Sequence, residues 1–127
     1  MLAHVGPLKL RLQVMSAETG AMGPGKAALL EAIQGHGSIS GAGRALGISY
    51  KRCWALVDEM NRCWRRPLVL TARGGRAQGA RLTDEGRLVL EAFRALEQRL
   101  TSVTRADPAY AILLENLRDT PLVETAP

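Results

Sequence analysis

Ser38-Ile-Ser-Gly-Ala-Gly-Arg-Ala-Leu-Gly-Ile-Ser49 is the stretch whose reading decides the fold. A short helix starting near Ser40 is expected to bury Ile39, Ala42 and Leu46 on one side. The chain then turns at Gly47, Ile48 plugs the corner, and Ser49 caps the helix that follows. This is the grammar of a helix-turn-helix. Gly41 and Gly43 each cost about 1 kcal/mol against alanine inside a helix, so the short helix depends on packing. Its small residues let the next helix approach closely.

Downstream, a helix is expected from Tyr50 to about Trp64, with Cys53, Val57 and Met60 at i, i+4 and i+7 facing the core. Pro67 ends it. Leu68-Val-Leu-Thr-Ala-Arg73 reads as a strand and Gly74-Gly-Arg-Ala-Gln-Gly79 as a turn, with Ala80-Arg-Leu82 as a short return strand. The hairpin has a glycine-rich, basic tip. Thr83 caps the next helix, and Asp84 and Glu85 stand in its first turn, where the dipole favours negative charge. That helix is expected to reach about Val103. Val89, Phe93, Leu96, Leu100 and Val103 recur at the spacing that keeps a seam facing a partner helix, and Leu88, Ala92 and Ala95 add a second apolar flank. One side can therefore cover the core while the other meets a twin. Asp107-Pro108 opens a short last helix with Tyr110, Leu113, Leu114 and Leu117 as its apolar stripe, and a frayed tail follows from Asp119.

Upstream, Leu8, Leu10, Leu12 and Val14 alternate with Lys9, Arg11, Gln13 and Met15, the period-two pattern of a strand with one wet face. Residues 16 to 25 read as loop, with Pro24 placed to enter a helix. That helix is expected over Ala27 to Gln34, with Leu29, Leu30 and Ile33 inward and Gly35 and Gly37 as its stop. The whole predicts an α+β, mainly helical winged helix-turn-helix in one domain over 1–127. Within it the helix-turn-helix spans 38–64, the wing 68–82, a long C-terminal dimerisation helix 83–103 and a short tail 104–127.

The 127 residues carry a net charge of +5 and a pI near 9.9, which favours an anionic partner. The basicity is local. Residues 62 to 81 hold Arg62, Arg65, Arg66, Arg73, Arg76 and Arg81 and no acid, whereas residues 84 to 127 hold eight acids against five arginines. No apolar run approaches the roughly 20 residues needed to cross a bilayer, and the start lacks a basic segment followed by an apolar one. A cytoplasmic protein with no membrane partner is expected. Cys53 and Cys63 on one helix would stand about 15 Å apart, beyond disulfide reach. With only His4 and His36 in the chain, they make no zinc spacing. No cofactor or metal is expected.

The second helix of a helix-turn-helix enters the major groove with its first turns. The DNA-binding set is therefore Ser38 and Ser40 at the head of the first helix, Ser49, Tyr50, Lys51 and Arg52 at the head of the second, and Arg73, Arg76 and Arg81 on the wing. Ser49 and the amides around it suit a phosphate, and Lys51 and Arg52 suit a phosphate or guanine O6 and N7. Trp54 either packs under the hairpin or touches DNA. Arg62, Arg65 and Arg66 are placed to steer association. Catalysis has no support: no carboxylates pair in an apolar setting, no nucleophile has a base nearby, and the 74–79 turn lacks the residues of a P-loop. Duplex DNA is the expected partner, with RNA or another protein as the alternatives.

Taken together, Gly37-Ser-Ile-Ser, Gly47-Ile-Ser-Tyr-Lys51, Trp54, Asp58-Glu-Met-Asn61, Gly74-Gly and Leu82-Thr83 with Gly86 resemble the N-terminal DNA-binding domain of the ModE family of molybdate-responsive transcriptional regulators. The resemblance runs from about Leu8 to Val103, and its helix-turn-helix is shared with the LysR type. It implies an α+β winged helix, a homodimer through the long final helix, and repression or activation of molybdenum-uptake or related genes. Full-length members also carry C-terminal domains that bind molybdate. The 24 residues after Val103 are not expected to house one, so sensing would fall to a separate partner, or regulation would be unrelated to molybdate.

Overall fold

The computed structural model describes residues 3–72 and 79–124. Among them the chain runs β1 (Ala3–Val5), β2 (Leu8–Leu10), β3 (Val14–Ser16), β4 (Thr19–Met22), α1 (Pro24–His36), α2 (Ile39–Leu46), α3 (Tyr50–Cys63), β5 (Val69–Thr71), β6 (Ala80–Leu82), α4 (Asp84–Ala106) and α5 (Pro108–Asn116). The strands form three separate antiparallel ribbons, β1-β2, β3-β4 and β5-β6. Helices α1 to α4, β4 and the β5-β6 ribbon enclose one apolar core in which Leu29, Leu30, Ile33, Cys53, Met60 and Leu68 are fully buried. The α+β, mainly helical winged helix expected from the sequence is the fold observed.

The amino-terminal region departs from expectation. A single strand over 8–15 is replaced by β2 and β3, each paired in its own ribbon, and β4 occupies part of the expected loop. The turn between β3 and β4 falls at Ala17-Glu18, with Ala17 at φ 49. Glycine or asparagine is the usual occupant of that left-handed region, so the turn carries no compositional mark. The single strand over 8–15 is expected because the alternation of apolar residues continues through 11–13, where the chain passes from β2 to β3.

Helix α1 starts three residues early because Pro24 takes its first position, where a missing N–H costs nothing. Gly37, at φ 71, ends it by donating its N–H to Ile33 O at 2.8 Å. Ile39 and Ala42 of α2 are buried as expected, but Leu46 is 38% exposed. It is the last residue of an eight-residue helix and lies at the rim of a cavity beside Ile48 and Leu56, outside the core. A side chain at Gly43 would stand 3.0 Å from both Cys53 Sγ and Ile48 O, so the close approach of α2 to α3 requires glycine there.

Helix α4 turns Gly86, Leu90, Phe93 and Glu97 inward. Of the expected stripe only Phe93 is buried. Leu96, Leu100 and Val103 are 44%, 40% and 67% exposed. A side chain at Gly86 would lie 2.2 Å from Leu68 O, so the first turn of α4 can pack on the backbone just before β5 only with glycine there. Glu97 is nonetheless buried and polar. Its Oε1 accepts from Arg94 at 2.8 Å, and Arg94 also grips Glu31 on α1.

Candidate nucleic-acid interface

The recognition surface is built around two helix caps. Ser38 Oγ accepts the Gly41 N–H at 2.9 Å and starts α2. Gly47, at φ 70, closes α2, and Ile48 N donates to Gly43 O at 3.0 Å. Ser49 Oγ then accepts the Arg52 N–H at 3.0 Å and starts α3. The caps satisfy donors that the helix itself leaves orphaned, and they fix the angle at which α3 leaves the turn. Ser38 and Ser49 thus spend their acceptor oxygens on the backbone. Each keeps its hydroxyl hydrogen to donate outward.

The first turn of α3 brings Ser49, Tyr50, Lys51 and Arg52 together, all exposed and with no acidic residue among them. Its leading amides add partial positive charge to two full ones. Tyr50 is 55% exposed and meets Trp54 edge-on, with ring centroids 6.1 Å apart and planes at 72°. Trp54 is half-buried and packs against the core, so the structure favours its packing role, and through it Tyr50 is held outward. Ser40 is exposed on the first turn of α2. Arg44, exposed in the last turn of α2, was given no role by sequence reasoning, because nothing in the pattern distinguishes it from a solvated helix residue.

The wing root is tied to this surface. Ala80 N donates to Gly37 O at 2.8 Å, so β6 begins against the residue that ends α1 and precedes the Ser38 cap of α2. In β6, Ala80 and Leu82 point into the core and Arg81 is exposed opposite Leu70. Arg73 and Arg76 lie outside the described residues. Of the remaining arginines, Arg62 pairs with Asp58 at 3.0 Å and Arg66 with Glu85 at 2.8 Å. Those pairings reduce what either offers to an anion, whereas Lys51 and Arg52 present theirs at a helix start.

Behind α3, a cavity of about 510 Å³ is bordered by Arg11, Lys26, Ile48, Arg52 and Glu59. Lys26 lies across it, donating to Gly20 O at 2.5 Å and paired with Glu59. That ammonium, with help from Arg62 and Arg52, holds the Glu59 carboxyl below its ordinary range. Cys53 faces the core, and burial pushes its thiol up. Among the described residues no three His, Cys, Asp or Glu side chains are grouped to hold a metal ion, and no helix is long and apolar enough to cross a membrane.

Residues 26–87 match the bacterial regulatory helix-turn-helix family of lysR type. The chain is 42% identical over 96 residues to the molybdenum-pterin-binding protein MopA of Rhodobacter capsulatus, covering 75% of this chain and 36% of that one. It is 38% identical over 76 residues to the DNA-binding transcriptional dual regulator ModE of Escherichia coli, covering 59% and 29%. Among solved structures, it is similar to the full-length LTTR LysG of Corynebacterium glutamicum with bound effector Arg. The TM-score is 0.51 at 30% identity, over 74% of this chain and 30% of that one. The chain spans about a third of the length of the curated relatives it matches. Its winged helix-turn-helix is thus similar to that of the lysR-type bacterial regulatory proteins over residues 26–87, within a region that is similar to part of ModE and MopA.

Proposed function

We propose that the protein binds duplex DNA sequence-specifically as a homodimer and regulates transcription, with molybdenum-related genes as the target class. The observation that carries this reading is the first turn of α3, where Tyr50, Lys51 and Arg52 stand exposed around a capped helix start with no acid among them. The lysR-type match and the names of ModE and MopA support it. Ser38, Ser40 and Ser49 donate to phosphates, Tyr50 and Lys51 read base edges, and Arg52 does either. Arg81, with Arg73 and Arg76, follows the flanking backbone along the wing. The protein acts as a non-enzymatic regulator in the cytoplasm, in one domain over 1–127. Helix α4 joins two copies through its exposed Leu96, Leu100 and Val103, which places two recognition helices in successive major grooves about 34 Å apart.

Selecting bound fragments from a bacterial genome and titrating their affinity against salt tests the reading. Affinity should fall steeply as salt rises, because phosphate contacts release counterions, and footprints should show two related half-sites. Affinity indifferent to salt overturns the phosphate contacts. A preference for looped or single-stranded RNA, or no nucleic-acid affinity at all, overturns DNA recognition.

A further inference from the structure

The cavity of about 510 Å³ beside α3 is bordered by three parts of the chain. Arg52, Leu56 and Glu59 line it from one flank of α3, spread over about 10 Å at 1.5 Å per residue. Leu46 and Ile48 line it from the corner of the helix-turn-helix, and Lys26 and Ala28 from the start of α1. Arg11 comes from the segment that joins β2 to β3. The volume falls within the range of about 300–1,000 Å³ that small-molecule sites occupy.

Two kinds of surface line this cavity. Ala28, Leu46, Ile48 and Leu56 supply apolar lining, and Leu46 is the residue of α2 that the core leaves 38% exposed. The charges do not cancel. Lys26 and Glu59 pair with each other, which leaves Arg11 and Arg52. Among the described residues neither of those guanidinium groups forms a hydrogen bond or an ion pair. A guanidinium grips a carboxylate or a phosphate with two parallel hydrogen bonds. Two uncompensated cations beside apolar lining therefore suit an anion that carries an apolar body.

We propose that this cavity is an effector site for a small organic anion, a carboxylate or phosphate on an apolar body, and that its occupant withdraws Arg52 from DNA. The coupling rests on the reading of α3 as the recognition helix; the site itself does not. Arg52 stands in the first turn of α3 and also lines the cavity, so DNA and the anion compete for one side chain. By reciprocity, DNA weakens the ligand by the factor with which the ligand weakens DNA. The cavity takes no residue from the exposed Leu96, Leu100 and Val103 of α4. Ligand and dimer are therefore compatible.

The test titrates the full chain, free of DNA, with 1-naphthyl phosphate and 1-naphthylacetate and follows backbone amide shifts by NMR. Shifts should gather at residues 25–28, 46–48 and 52–59, and the tighter of the two probes tells phosphate from carboxylate. Inorganic phosphate and 1-naphthalenemethanol, which lack the body and the charge respectively, should bind at least tenfold more weakly. Arg11→Gln changes an exposed position outside the DNA-binding set and should raise the probe dissociation constant about tenfold, as expected for losing a charge-assisted bond. Ala28→Leu should fill the cavity and abolish binding, with circular dichroism checking its fold. Fluorescence anisotropy then measures DNA affinity. Saturating probe should weaken it about fivefold or more beyond the effect of equal inorganic phosphate, in the parent but not in Arg11→Gln. Shifts elsewhere or none, equal binding of either control, or an Arg11→Gln variant that binds like the parent overturns the site. Probe binding that leaves DNA affinity unchanged overturns the competition for Arg52. A parent that binds no DNA overturns the proposed function, while the DNA-free titration still decides the site.

Discussion

Asn61 and Val69 close a two-bond ring: the Asn61 carboxamide donates to Val69 O at 3.0 Å and accepts the Val69 N–H at 3.1 Å. Its oxygen also takes the Leu68 N–H at 2.8 Å. One side chain near the end of α3 therefore serves as the missing neighbour for the start of β5. The wing strand is held in register with the recognition helix through it. Removing the amide leaves buried backbone groups without partners, at about 1–3 kcal/mol for each unsatisfied group. Asn61→Ala should lower the melting temperature by several degrees, about 4 °C per kcal/mol in a domain of this size. Asn61→Asp should recover only part of the loss, because it keeps the acceptor and loses the donor. Thermal melts of the three proteins at neutral pH check the order, and an Asn61→Asp variant as stable as the parent would contradict it.

The residues that carry the likeness to ModE are, in this light, mostly architectural. Asn61 clamps α3 to β5, Gly37 and Gly47 end helices at positive φ, and Thr83 caps α4 while donating to Pro67 O at 2.7 Å. Gly86 admits the Leu68 carbonyl. The helix-turn-helix was legible from its first stretch because each cap and stop is a local event with its own residue type. The amino-terminal ribbons were not legible, since the alternation from Leu8 to Met15 runs on unbroken through residues 11–13, where the chain leaves β2 and enters β3. Leu96 and Leu100 were read as a seam from spacing alone, and spacing cannot say which edge of a two-sided helix the core takes. Only the buried positions of Leu90, Phe93 and Glu97 decide that.

Glu97 depends on Arg94. Its Oε1 is bonded to the guanidinium, while Oε2 is buried with no hydrogen-bond partner among the described residues. Glu31 does most to keep Arg94 charged, with Glu97 adding to it. Arg94→Met should therefore strand a buried carboxylate and destabilise the fold by about 3 kcal/mol, the range found when one partner of a buried pair is deleted. Adding Glu97→Gln should restore much of that loss, because the stranded charge is gone. Denaturant melts of the single and double variants measure both. A double variant no better than the single would mean that Arg94 stabilises through Glu31 or its own packing.

On DNA, Arg81 and Lys51 should behave differently. Arg81 is exposed on β6 beside the wing root, so Arg81→Ala should weaken binding across all sequences and reduce the salt slope by about one unit. Lys51 stands in the first turn of α3, and Lys51→Ala should relax preference at one base pair by about 1–3 kcal/mol. Fluorescence anisotropy with matched and mismatched duplexes at several salt concentrations separates the two effects. Two variants that both bind like the parent would remove this face from the interface.

The two thiols should differ in reactivity. Cys53 is fully buried where Gly43 lets α2 close over α3, and burial raises its thiol above the ordinary range. The thiolate is the reactive form, so Cys53 should resist alkylation in the native protein. Cys63, half-buried at the end of α3, should label first. Mass spectrometry after brief iodoacetamide treatment, with and without denaturant, reads the difference directly. Modification of Cys53 at the rate of Cys63 in the native state would show that α2 and α3 separate.

Acid should loosen the join between α1 and α3. The Lys26 ammonium bonds to Glu59 and attracts it, so the folded carboxyl ionises below its ordinary value of 4.5. A depressed folded value means that the folded state binds the proton less readily than the unfolded chain does. The stabilisation is thus complete above about 4.5 and disappears as pH falls through the lower folded value. Glu59 is 37% exposed, and water screens such a pair to less than about 1 kcal/mol. Glu59→Gln should accordingly cost a fraction of a kcal/mol at neutral pH, and the gap to the parent should close in acid. Urea melts of both proteins at a series of pH values test this. A gap of constant size down to acid would assign the effect to packing around Lys26 and not to its charge.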